Sequence, residues 1–194
     1  MPNWAYSCYK VVGNKKDVKK LNSILKKLDK RKTARVKNGF GKLWLGCLIT
    51  ALGGDWQKIP CRGQITYFEL DDDVLTIDTE TAWGEAFETR KFIESCFPGM
   101  KIYYDEQEEG MGIYNTNDKE KRFFTYRYFL DSYDAVEEPY FDTIEEAAEC
   151  VSGIVGHKVE PTTKAICSAL NDYVEEHEGE DVFFSFHEYQ VCDD

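Results

Sequence analysis

Every apolar residue between Asn14 and Arg31 falls on one stripe: Val18, Leu21, Ile24, Leu25 and Leu28 recur at spacings of three and four, and lysine fills most positions between them. Only an α-helix gathers that spacing onto a single face, so the segment has to bury the stripe against another element and leave its lysines in water. Asn14 suits the N-cap, with Asp17 in the first turn. Ahead of it, residues 5–12 alternate and stop at Gly13 and Asn14, which reads as a strand closed by a turn.

The following segments extend this strand and helix into a recognisable order. Residues 33–60 hold five glycines around the short periodic run Leu45, Leu48, Ile49, Leu52, and read as a glycine-rich insert with one short helix. Two β-rich runs, 64–70 and 74–80, flank Asp71, Asp72 and Asp73, the pattern of a hairpin. Phe87, Phe92, Ile93 and Phe97 predict a second helix over 86–97, stopped by Pro98 and Gly99, before a strand at 100–104. Strand, helix, strand, strand, helix, strand is the split βαβ order, so the expected fold is α+β with a ferredoxin-like antiparallel sheet spanning residues 1–105 and one sheet face free of helices.

Residues 106–194 are expected to add strands and helices that pack on this core as one structural unit. Strands are expected at 112–114 and 122–130, where Phe124, Tyr126, Tyr128 and Leu130 share one face at period two. Thr143 and Glu146 form a capping box for a helix through Val155, ended by Gly156. A further helix is expected over 163–178, and an aromatic strand over 182–191.

The opening MPNWAYSCYK lacks a basic stretch followed by an apolar one, and the longest apolar run, 43–54, is short of the roughly 18–20 residues a membrane span needs. The expectation is a cytoplasmic protein without a membrane partner. Seven cysteines, an odd number without any C-x-x-C pair, suit neither a disulfide framework nor a zinc knuckle and read as reduced thiols. The net charge of −12 is unevenly spread: residues 10–42 hold 13 of the 24 Lys/Arg with only Asp17 and Asp29, for +11, leaving −23 on the remainder.

That charge marks the one candidate binding face. Lys15/Lys19, Lys16/Lys20, Lys26/Lys30 and Lys27/Arg31 are like-charged i,i+4 pairs, each unfavourable by about 0.2–0.5 kcal/mol in an isolated helix. Lys16, Lys20, Lys27 and Arg31 are the candidate residues, either as a phosphate-binding surface or as a solvated face drawn to acidic protein or to a second copy; the overall negative charge disfavours nucleic acid. An RNA-recognition surface is a poor match, because Tyr6 and Tyr9 on the first strand have no aromatic counterpart in VLTIDTE. Asp71 to Asp73 diverge as turn residues do, and His157, His177 and His187 lack helical ligand spacing, so no catalytic, cofactor-binding or metal-ligating residue is assigned.

The Met1, Pro2, Asn3, Trp4 opening before a strand and Gly13, together with Thr81, Ala82, Trp83, Gly84 and the Phe97, Pro98 stop, resembles the YubB-type ferredoxin-like family of plasmids, phages and other mobile elements. The resemblance covers residues 1–105 and implies the fold without supplying a catalytic residue. The function expected is therefore a non-enzymatic protein-binding or accessory protein of a mobile element, capable of self-association, whose acidic surface in one version imitates nucleic acid. A nucleic-acid-binding protein acting through the first helix, and an enzyme with a dispersed site, are the alternatives.

Overall fold

The computed structural model describes residues 2–132, 136–137 and 139–193. It is a mixed α+β protein with five helices, and it divides into two compact units, Met1–Asp118 with Asp193–Asp194, and Lys119–Cys192.

In the first unit the elements follow one another as β1 (Trp4–Val12), α1 (Lys15–Asp29), α2 (Leu45–Ala51), β2 (Gly63–Asp71), β3 (Val74–Ala82), α3 (Phe87–Cys96), β4 (Lys101–Glu108) and β5 (Ile113–Thr116). These strands lie side by side as β2-β3-β1-β4-β5, every pairing antiparallel. The unit thus extends past residue 105, because β4 runs on to Glu108 and pairs with β5 through Asp105 opposite Thr116 and Gln107 opposite Tyr114.

Period two along β1 puts Ala5, Ser7, Tyr9 and Val11 on one face, all buried. Opposite Val11 stand Leu75 and Ile102, and opposite Tyr9 stand Ile77 and Tyr104, so the central strands present a continuous apolar surface. Val18, Leu21, Leu25 and Leu28 of α1, Leu45, Leu48 and Ile49 of α2, and Ile93 of α3 complete that core. Asn14 caps α1 as expected, its side chain accepting from the Lys16 N–H at 2.9 Å. Gly13 is required just before it: a Cβ there would lie 3.0 Å from Met100 Cα and 3.1 Å from the Gly99 carbonyl. In the β2–β3 hairpin Asp72 takes a left-handed conformation, φ 47°, which aspartate tolerates better than most residues.

The second unit holds β6 (Tyr128–Ser132), β7 (Tyr140–Phe141), α4 (Ile144–Val155), α5 (Thr163–Glu176) and β8 (Phe184–Glu188), with strands ordered β7-β6-β8. Leu130, Ala147, Val151, Ile166, Leu170 and Phe186 form its core. The Thr143/Glu146 capping box and the left-handed Gly156 bound α4 as the sequence predicts. The strand expected at 122–130 forms only from Tyr128. Arg127 Nη1 donates to the carbonyls of Phe124 and Tyr126, both at 2.7 Å, and the Tyr126 ring packs on Tyr140 and Tyr189, so alternating aromatics here fill a ring cluster rather than a strand face. The last strand is likewise shorter than 182–191.

Leu21→Ala empties a fully buried site and is expected to lower the stability of the first unit by about 2–5 kcal/mol, with Ile24→Ala costing less because Ile24 is half-buried. All four tryptophans lie in this unit, so guanidinium unfolding followed by tryptophan fluorescence reads it selectively.

A candidate anion-binding face on the first helix

Burial of the α1 stripe decides where its bases point. At 100° per residue, Lys16, Lys20 and Lys27 fall within an arc of roughly 40° on the side opposite Val18, Leu21 and Leu25, and Arg31 follows just beyond the helix's last residue, Asp29. All four are exposed. Lys15, Lys19, Lys26 and Lys30 form a second stripe beside them, and there Lys15 is engaged by Asp73 at 2.7 Å. Lys42 is likewise engaged by Asp29.

The structure does not gather the four candidate residues at one point. From Lys16 to Lys27 alone the helix axis advances about 16 Å, and Arg31 lies beyond the helix end. Lys20 Nζ stands 5.5 Å from the Phe97 ring centroid, while Lys27 and Arg31 turn into a recess of about 280 Å³ floored by Ile24, Leu28 and Ala51. Its third base is Arg35, from the insert, which the sequence reading missed. Nothing in the local pattern around Arg35 distinguishes it from neighbouring bases; the chain's return over the end of α1 brings it in. Among the described residues, no acid ion-pairs with Lys16, Lys27, Arg31 or Arg35. A recess lined by three bases over an apolar floor suits an anion with several oxygens, since guanidinium groups take phosphate in a two-pronged fashion.

Other polar clusters are explained by packing. Arg90, only 1% exposed, donates to Glu85 Oε1 through Nε at 3.1 Å and Nη2 at 2.8 Å, and its guanidinium lies over the Tyr104 ring at 4.7 Å. Tyr9 Oη donates to Glu85 Oε2 at 2.9 Å, and the Glu85 N–H donates to Glu106 Oε1 at 2.6 Å. Burial, then Glu85, pushes the Tyr9 phenol well above its ordinary range. The void beside this network, lined by Tyr9, Thr89 and Arg90, measures about 10 Å³, less than a substrate or even a comfortable water needs. Tyr9 therefore faces the helices, and Tyr6 is the tyrosine left on the other sheet face.

On that other face Cys8 stands between Asp78 and Asp105 in register. Burial, and next the Asp105 carboxylate, push its thiol up to about 12, which keeps it protonated and unreactive. Asp71 to Asp73 form the expected turn, and among the described residues no three His, Cys, Asp or Glu converge as metal ligands. All seven cysteines are free. One nucleophile-like pair escaped the sequence reading: Ser185 Oγ and His187 Nε2 are 2.8 Å apart on β8, with Asp131 paired opposite Ser185. Ser-x-His on a strand was the available signal. Among the described residues, no helix is long and apolar enough to cross a membrane.

Comparison with protein-family models, with curated proteins and with solved structures returns no match.

Burial raises the Glu106 carboxyl above its ordinary 4.5, outweighing the hydrogen bonds from Asn115 and the Glu85 N–H. The unfolded chain then loses this proton first, so Glu106 weakens folding as pH rises from 4.5 through its raised folded value. Glu106→Gln, which retains an acceptor for the Glu85 N–H, is expected to flatten that part of the stability–pH curve, measured by urea unfolding at stepped pH.

Proposed function

We propose that this is a non-enzymatic binding protein whose first unit takes a phosphate backbone along the outward face of α1, with Lys27, Arg31 and Arg35 holding one phosphate in their recess and Lys16 and Lys20 meeting others. The carrying observation is one concave surface lined by three bases that have no acidic ion-pair partner among the described residues. The division of the chain strengthens it. The first unit has 18 Lys/Arg against 19 Asp/Glu, or −1, whereas the second has 6 against 17, or −11, so the −12 of the whole chain resides almost entirely in the second unit. Within its own unit, α1 therefore belongs to a nearly neutral body rather than a strongly acidic one.

The order β2-β3-β1-β4 supports a ferredoxin-like reading of this unit, with β5 and the α2 insert as additions. The YubB-type resemblance and its mobile-element setting belong to the same proposal and rest on the Pro2, Asn3, Trp4 and Thr81 to Gly84 motifs. Docking of the α1 face on acidic protein is the competing use. Between copies of this chain, joining α1 to the acidic second unit would pair two different surfaces, giving closed rings or open chains according to the rotation between copies.

Fluorescence anisotropy with labelled single- and double-stranded DNA between 50 and 200 mM salt, values chosen for the steep range of counterion release, tests the proposal. The expected result is binding whose log K falls with log salt by about 0.9 per phosphate neutralised on duplex, and its loss in the Lys16→Glu, Lys20→Glu, Lys27→Glu, Arg31→Glu variant. No binding at the lowest salt, or equal binding by the variant, overturns it; concentration-dependent association of the protein alone at low salt supports self-docking instead.

One observation favours an enzyme reading, the Ser185–His187 distance together with an imidazole pKa lowered by burial. Under the binding reading a fluorophosphonate probe leaves Ser185 unlabelled; a Ser185 adduct detected by mass spectrometry would move the assignment to a hydrolase.

A further inference from the structure

A second recess of the first unit lies away from α1, where Trp4 of β1, Arg62, Gly63 and Gln64 at the start of β2, and Glu80 near the end of β3 meet Phe40 and Trp44 of the insert. It encloses about 340 Å³, within the range of small-ligand sites. Trp4 is 44% exposed and Phe40 65%, an unusual outlay of large rings on a surface.

The rings are not loosely placed. Trp44 is buried, packs at 5.2 Å on Trp56, and covers Gly46 so closely that a Cβ there would fall 2.2 Å from the indole. Its backbone bridges to Gln64, and the Ile65 N–H donates to the Leu43 carbonyl at 2.9 Å, which fastens the insert to the edge of β2. Phe40 lies 5.5 Å from Trp44 at an interplanar angle of 36°. A rigid indole floor with two exposed rings above it is a stacking site for a flat molecule.

The polar rim narrows the class of that molecule. Gln64 Nε2 donates to Glu80 Oε2 at 2.9 Å, so the amide nitrogen must face the carboxylate and its carbonyl oxygen is left to other partners. Tyr6 Oη approaches Glu80 Oε1 at the limiting distance of 3.5 Å. The rim near the rings therefore offers chiefly acceptors, the Glu80 carboxylate and the Gln64 carbonyl. A flat ligand matching them presents adjacent N–H donors along one edge. Arg62 contributes the opposite character: it is exposed and has no ion pair or side-chain hydrogen bond among the described residues. A guanidinium at the mouth of an aromatic site calls for an anionic substituent on the same ligand.

We propose that this recess binds a guanine nucleotide: the base stacks among Trp4, Phe40 and Trp44, its N1–H and N2–H edge donates to Glu80, and its phosphate meets Arg62. Adenine presents an acceptor at N1 where guanine presents a donor, so the carboxylate discriminates against it. The site shares no residue with the α1 face and does not rest on the reading given to that face.

The test is isothermal titration calorimetry of the whole chain with GMP, guanosine, IMP and AMP, with tryptophan quenching as a second readout. GMP is expected to bind saturably and at least about tenfold more tightly than AMP, a discrimination within what one well-placed paired contact supplies. IMP, lacking the N2 amine, falls between them. Glu80→Gln should remove the preference for GMP over AMP, and Arg62→Ala should reduce GMP to the affinity of guanosine. Trp4→Ala weakens all four ligands, and the fourfold α1 variant leaves GMP binding unchanged, which separates this site from the DNA-binding proposal. No saturable heat or quenching with any of the four at millimolar concentration, or a GMP affinity untouched by Glu80→Gln and Arg62→Ala alike, overturns the assignment.

Discussion

The burial of Val18, Leu21, Leu25 and Leu28 against Val11, Leu75, Ile77 and Ile102 is the interaction on which the arrangement of the first unit depends. Each such side chain contributes about 1.5–3 kcal/mol when fully buried. The four like-charged i,i+4 pairs on α1 together cost only about 1–2 kcal/mol on the same helix. Packing therefore wins, and it fixes the rotation of the helix about its axis. Once Leu21 points at the sheet, Lys16, Lys20 and Lys27 are carried to the other side of the helix. The basic face is a by-product of the apolar one in geometry, whatever use is made of it.

The same helix-facing side of the sheet changes character along its length. Near Val11 it is apolar, and toward Ser7 it carries Tyr9, Glu85, Arg90 and Glu106 in mutual contact. A buried ion pair of this kind contributes little net stability, because desolvation of both charges offsets their attraction. It does impose geometry: the Glu85 carboxylate holds Arg90 of α3 and Tyr9 of β1 together, and the Glu85 backbone is tied to Glu106 of β4. Two strands and the helix preceding β4 are thereby registered by polar contacts that an apolar core alone would leave adjustable. The network is filled by its own members, so its perturbed tyrosine and glutamate are consequences of burial and mark no reaction centre.

Charge is where the division into units alters the reading most. Taken along the chain, −12 argues against any polyanion. Taken by unit, the first is close to neutral, with its positive charge grouped on α1 and around Arg35, where Asp73 offsets only Lys15. Screening over about 8–10 Å at physiological salt gives the charges next to a recess the largest weight in binding there. Local charge at a concave surface is thus a better guide to binding than the sum.

The α1 helix, its cap at Asn14, the β2–β3 hairpin, the Thr143/Glu146 box and the short α2 helix were all legible in the residues, since each depends on spacing and local chemistry within one or two turns. So was the outward placement of Lys16, Lys20 and Lys27, which follows from the stripe they interrupt, whereas Arg31 lies past the helix end. The strand expected at 122–130 was not, because Arg127 captures nearby carbonyls and the alternating rings find partners at Tyr140 and Tyr189 far along the chain. Arg35 beside Lys27 and Arg31, and Trp4 beside Phe40, Trp44 and Glu80, are the same kind of fact. Sequence by itself determined which faces are apolar and which are charged, because periodicity acts over a few residues. Only the tertiary structure decided which distant side chains share a recess, because that depends on where the insert folds back and on the order in which the strands lie.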